Sequence, residues 1–236
     1  MKERDVLAAA EAVFDAERAL RRAADTVDEL GDVAASSLRV LDDAATDAFY
    51  AHQEERRDFY LESASEHLAR LRNRSGLMNE LGEDLSRHLA AAGSAIERAG
   101  CELARGTEGE ERESEVRVLR TQIDILSEVV TLARPVADQI IRHAQQAAES
   151  SAATDALLLL DARVHHTGQR VNRADEDLTM MRSVIERAQS RARASAELAG
   201  SLSYAATHPP ASQSWSSDPT PQVHQPAKPA DPGIAI

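Results

Sequence analysis

Between Val116 and Leu202 the apolar residues recur at alternating spacings of three and four. Val116, Leu119, Ile123, Leu126, Val130, Ala133, Ala137, Ile140, Ala144 and Ala147 make the first run. Leu157, Leu160, Val164, Val171, Ala174, Leu178, Met181, Ile185, Ala188, Ala192, Ala199 and Leu202 make the second. A seven-residue repeat held this long can bury its apolar column only if helices pack lengthwise. Strands need a period of two, and no such alternation competes with it.

The same repeat runs through residues 3–51. Val6, Val13, Leu20, Val27, Ala34, Leu41 and Ala48 form one column, and Ala9, Ala16, Ala23, Leu30 and Ala44 a second. Ala10, Ala24, Leu38 and Ala45 supply a third, flanking column. Three columns make a stripe wide enough for two neighbours, as in a bundle rather than a two-stranded seam. Phase is lost between Phe49 and Leu61, across the polar run His52-Gln53-Glu54-Glu55-Arg56-Arg57-Asp58. Phe49, Tyr50, Phe59 and Tyr60, four of the six Phe and Tyr residues, bracket that run. A helix end and reversal is expected there. Asn73-Arg74-Ser75-Gly76 is the rival turn, and would make residues 3–72 one helix.

The second periodic segment along the chain covers residues 59–105 and carries Gly76, Gly82, Gly93 and Gly100, which make it the weakest helix by propensity. Gly106-Thr107-Glu108-Gly109 reads as a loop, placing glycine after one helix and acids before the next. A helix over 113–149 then contains Pro135, where a kink rather than a stop is expected, since the columns keep phase across it. A helix over 155–206 follows the capping run Ser150-Ser151-Ala152-Ala153-Thr154-Asp155. From 207 to 236 the composition changes: seven of the eight prolines lie there, and the segment is expected to be a disordered tail.

These segments predict an all-α fold, an elongated antiparallel bundle or coiled coil of four long helices over 1–206. Two long hairpins pairing in a homodimer satisfy the same pattern. Aromatics are only 3% of the chain, while it holds 43 alanines, so the core must be built from small and aliphatic side chains.

Composition also bounds function. The formal charge is −13, which opposes nucleic-acid backbones and anionic membranes. No run of ~18 apolar residues reads as a membrane span, and no apolar signal core follows Met1. The single cysteine, Cys101, allows no intramolecular disulfide and suits a reducing, cytoplasmic setting. It sits beside Ala99 and reads as a packed, inert thiol. No histidine has Glu or Asp three residues before it, so the Glu-x-x-His ligand pattern of bundle metal sites is missing. Asp84 with His88, and Asp161 with His165, are single pairs at helical spacing. His165-His166 reads as a surface or half-buried pair. Phosphate-loop, dinucleotide and nucleophile-elbow patterns are absent. Neither catalysis nor a cofactor is expected.

What remains points to protein contacts, with partners or with a second copy. Trp215, the only tryptophan, lies in the Pro-rich tail as a candidate docking anchor. Arg182, Arg187, Arg191 and Arg193 cluster late in the last helix, opposite in sign to the acidic first helix, and a match between them would set helix order. Tyr50-Ala51-His52-Gln53-Glu54 fits a Tyr-x-x-x-Asp/Glu pattern and in this resembles the helical-hairpin substrates of type VII secretion. That resemblance implies export without a cleaved signal, with Tyr50 and Glu54 as the recognised pair. The chain lacks the Trp-x-Gly turn of those substrates. The leading expectation is a non-enzymatic scaffold, adaptor or assembly protein; secretion coupling is the alternative.

Overall fold

The computed structural model describes residues 3–53, 56–105, 113–152 and 157–208. They form four helices: α1 (Glu3–Ala51), α2 (Arg57–Arg105), α3 (Glu113–Ser150) and α4 (Leu157–Thr207). No strand occurs among the described residues. At ~1.5 Å per residue the longer helices are rods of roughly 70–75 Å.

The helices form an up-down-up-down ring. α1 packs on α2 and α4, and α3 packs on the same two from the opposite corner. Cross-helix contacts fix the antiparallel register. Asp15 meets Arg98 at 3.1 Å and Asp47 accepts from Ser63 Oγ at 2.6 Å, joining α1 to α2. Arg120 donates to the Leu103 carbonyl at 2.9 Å, joining α3 to α2. Ser195 donates to Gln122 Oε1 at 3.1 Å, joining α4 to α3.

All ten apolar positions of the Val116–Ala147 column are buried, as are those from Leu160 to Leu202. In α1 the two main columns are buried except for half-buried Leu41. The third column needs correction. Ala10 is buried as expected, but Ala45 is exposed and Ala24 and Leu38 are only half-buried, whereas Ala12, Ala19, Thr26 and Val40, on the opposite flank, are buried. That flank faces α2. Its small residues allow the two axes to approach toward the short end of the ~8–10 Å range.

The chain reverses after Ala51, and Asn73 to Gly76 lie inside α2. His52 N–H donates to Phe49 O at 3.3 Å and Gln53 N–H to Tyr50 O at 2.9 Å, a tightened last turn. No described residue has a positive φ, and no Gly or Pro stands between Ala51 and Arg57, so composition does not mark the reversal. α3 runs through Pro135 without stopping.

The glycines of α2 serve packing. A Cβ on Gly82 would lie 2.7 Å from Ile141 Cγ1, and one on Gly93 would collide with the Arg134 guanidinium. Both gaps admit side chains of α3. On α1, Gly31 gives passage to Arg182 of α4 in the same way.

The core is divided. A large cluster spans all four helices, from Val6 to Ala34, Met78 to Leu103, Val116 to Ala144 and Ala174 to Leu202. A small one, Val40, Ala44, Ala48, Ala64, Leu68, Leu71, Leu160 and Val164, uses α1, α2 and α4 only. Between them lie four fully buried hydroxyl residues, Ser37, Ser75, Ser151 and Thr167. Ser37 Oγ donates to Val33 O at 2.7 Å and Ser151 Oγ to Ala148 O at 3.1 Å. Ser75 Oγ and Thr167 Oγ1 have no hydrogen-bond partner.

Candidate functional site: the aromatic tip and the α1–α4 groove

The small cluster marks the end of the bundle where α1 turns into α2. α1 delivers Phe49 and Tyr50 on consecutive residues of its last turn, and α2 delivers Phe59 and Tyr60 on its first. The heptad leaves these positions outside the buried columns, so the rings gather on the surface. Tyr50 and Tyr60 lie 5.3 Å apart between centroids and bridge the two helices. Phe49 meets Tyr50 edge-on at 5.6 Å, and Phe59 meets Tyr60 likewise at 5.3 Å. These are the T-shaped and tilted geometries that ring quadrupoles favour. Phe49 is 66% exposed and Phe59 64%.

Beside this cap a groove of about 610 Å³ opens between α1 and α4. Leu41, Ala48 and Val164 supply its apolar floor, and Phe49 stands at its rim. Gly168 of α4 lets Leu41 approach, since a Cβ there would sit 3.0 Å from Leu41 Cδ2. The polar lining is Asp42 from α1, His52 just past its end, and Asp161, His165, Gln169 and Asn172 from α4. His52 Nε2 bonds Asp161 Oδ2 at 2.8 Å and ties the helices together across the mouth. His165 Nε2 is 3.0 Å from Gln169 Nε2 on its own helix. Asp42 has no cationic partner among the described residues; only its backbone carbonyl is engaged, by Thr46 Oγ1 at 2.8 Å.

Two further His–Asp pairs cross between helices. His67 Nε2 lies 3.4 Å from Asp47 Oδ2, and His143 Nε2 lies 3.6 Å from Asp177 Oδ2. Burial holds His143 below the usual imidazole value, opposed by the Asp177 carboxylate and reinforced by Arg170, Arg173 and Arg142. Burial also raises Asp177 above the ordinary carboxylate value, with His143 opposing. Desolvation thus outweighs mutual attraction for both members of the pair. His88 is lowered by burial and then by Arg22 and Arg87.

The residues singled out from sequence are scattered. Tyr50 is in the aromatic cap, while Glu54 and Trp215 lie outside the described residues. Arg187 turns back on α4, its Nε donating to Ser183 O at 3.0 Å. Arg191 is exposed on α4, and Arg193 lines a shallow α1–α4 groove with Glu17, Arg21 and Gln189. The cross-helix ion pair between the acidic first helix and α4 is made by Arg182, 3.1 Å from Asp28. Cys101 is exposed, which corrects its reading as a packed thiol. Ala99, two residues before it, is fully buried, and two residues turn a helix by ~200°, toward solvent.

Among the described residues no three His, Cys, Asp or Glu side chains converge as metal ligands, and no helix is long and apolar enough to cross a membrane. No protein-family model, curated protein or solved structure matches the chain. The groove was not legible beforehand, because Leu41, Phe49, Asp161 and His165 meet only through the α1–α4 packing. The bracketing of a polar run by four aromatics was legible, and it marks the cap.

Proposed function

We propose that this chain is a non-enzymatic scaffold or adaptor, a stiff helical rod that holds protein partners at a fixed spacing. The observation that carries this reading is the exposed cap of Phe49, Tyr50, Phe59 and Tyr60 at one end. Exposed aromatics are the residues that most often anchor protein interfaces, and a stacked cluster presents them with little rotamer freedom to lose. Most of the rod's larger aliphatic side chains lie in the core, with Leu77, Val118, Leu132, Leu159 and Met180 left exposed along its length.

Affinity capture tests it. The full chain, a Phe49→Ser/Phe59→Ser variant and a chain ending at Ala206 are compared on the same lysate. The expected result is a stoichiometric protein partner retained by the full chain and lost by the double variant, with helical content unchanged by circular dichroism. A partner lost only on removal of the tail moves the contact to residues 207–236. Absence of any cap-dependent partner overturns the reading.

A further inference from the structure

The chemistry beside the cap specifies what it receives. Between Asp42 and Glu66 the sequence places eight carboxylates against two arginines, so nearly half of the net charge of −13 falls in these 25 residues of the chain. Among the described residues, the groove opening there has one carboxylate, Asp42, with no cationic partner, and a second, Asp161, paired with His52. The ring of Phe49, 66% exposed, stands at its rim. A free carboxylate, an open aromatic face and an apolar floor together recognise a long cationic side chain. Its methylenes lie along Leu41 and Val164, and its charged head meets ring and carboxylate. Arginine fits better than lysine, because its planar guanidinium stacks on a ring while bonding a carboxylate. The groove volume, about 610 Å³, is that of a site for a few side chains rather than a whole helix.

We propose that the α1–α4 groove beside the aromatic cap is a docking site for an arginine-bearing segment of a partner protein, recognised by Phe49 together with Asp42 and Asp161. This rests on the scaffold reading and adds the partner's chemistry. Electrostatic attraction from the acidic tip speeds encounter, and the Phe49 ring with the two carboxylates fixes the register.

The test uses the intact purified chain and three short synthetic peptides of equal length. One alternates Arg with Ala, one Lys with Ala and one Glu with Ala, and each is titrated by calorimetry. Binding is expected in the order Arg, then Lys, with none for Glu, and weakening at least tenfold between about 50 mM and 500 mM salt. Phe49→Leu, which keeps an apolar rim without a ring, is expected to weaken the Arg peptide about threefold or more. Asp42→Asn/Asp161→Asn is expected to weaken it further, while Asp25→Asn/Asp32→Asn, on the same helix but away from the groove, leaves it unchanged. Equal loss in both Asp variants, or none in either, shows a diffuse acidic surface and overturns the proposal. So does binding of the Glu peptide, or no binding of the Arg peptide. Sedimentation of the chain alone separates one further source: a dimer abolished by Phe49→Leu gives the groove to a second copy and also overturns it. If the Arg peptide fails while the captured partner still depends on Phe49 and Phe59, the cap remains a docking site and only the cationic chemistry falls.

Discussion

Gly76 and Gly82 lie on the same helix and meet different surroundings. A Cβ at Gly76 would have nothing within 4 Å, while one at Gly82 would press on Ile141 Cγ1. Gly76→Ala removes only the propensity penalty, and is expected to stabilise by about 0.5–1 kcal/mol. Gly82→Ala gains the same propensity but overpacks the α2–α3 contact, and is expected to destabilise by about 1 kcal/mol net. Thermal melts of the two variants should move in opposite directions; a shared direction would show that the Gly82 contact yields freely. His143 makes a second prediction at this scale. Its side chain is 18% exposed, its Nδ1 has no partner, and burial lowers its pKa. As pH falls through the unfolded value of 6.5, the unfolded chain takes up a proton that the folded chain resists. Stability from this group is therefore full above that value and declines as pH falls toward the lowered folded one. Asp177, raised by burial, acts lower, losing stability as pH rises through the carboxylate range. His143→Gln should flatten the fall in melting temperature between about pH 7.5 and 5.5. An unchanged slope would assign that fall to other groups.

At the scale of the element, α3 holds its only interior proline without ending. Pro135 is exposed, while its neighbours Ala133 and Ala137 are fully buried, so the missing N–H falls on the solvent side. Water can satisfy the carbonyl left unpaired one turn earlier. Pro135→Ala restores that bond and relieves the ring's clash, and should raise stability by about 1–3 kcal/mol, read as a higher denaturation midpoint at unchanged slope. The continuity of α3 was legible in sequence because Val130, Ala133, Ala137 and Ile140 keep phase across the proline. Other features were not legible. Ala10 is buried as its column implies, but farther along α1 the buried flank is Ala19, Thr26 and Val40 rather than Ala24, Leu38 and Ala45; the choice depends on which side α2 occupies, and no local pattern encodes that. No Gly or Pro stands between Ala51 and Arg57, whereas Gly76 closes the Asn73–Gly76 run, so composition favoured the rival turn over the true reversal. Cys101 was misread for a similar reason: proximity to Ala99 along the chain is not proximity around the helix. The groove is non-local in the same sense: Phe49 and the Asp161–His165 pair stood out along the chain, but nothing there placed them together.

At the scale of the molecule, the division of the core decides how the rod comes apart. The large cluster draws on four helices and contains most of the fully buried leucines, whereas the small one draws on three. Fewer buried apolar side chains mean less area removed from water, at ~25 cal/mol per Å². The hydroxyl belt of Ser37, Ser75, Ser151 and Thr167 separates the two, and two of its hydroxyls are unpartnered. Each such buried group costs on the order of 1–3 kcal/mol relative to a satisfied one. The belt therefore weakens the tip and uncouples it, so that the end carrying the aromatic cap can open while the rest stays folded. Amide hydrogen exchange should show this directly. Residues around Ala44, Leu68 and Val164 are expected to exchange through openings of lower free energy than those around Leu20, Leu89 and Ile185. Ser75→Ala with Thr167→Val replaces both unpartnered hydroxyls by apolar groups of similar size and lets the cores merge. The tip should then gain protection, by about 1–3 kcal/mol in opening free energy, while the large cluster changes little. Uniform protection along the wild-type rod would show that the belt does not divide it. If protection is graded and the double variant removes the gradient, the hydroxyls set the softness of the end that presents Phe49 and Phe59. Binding at the cap would then be opposed by whatever opening the belt permits, and the double variant should bind the arginine peptide more tightly than the wild type.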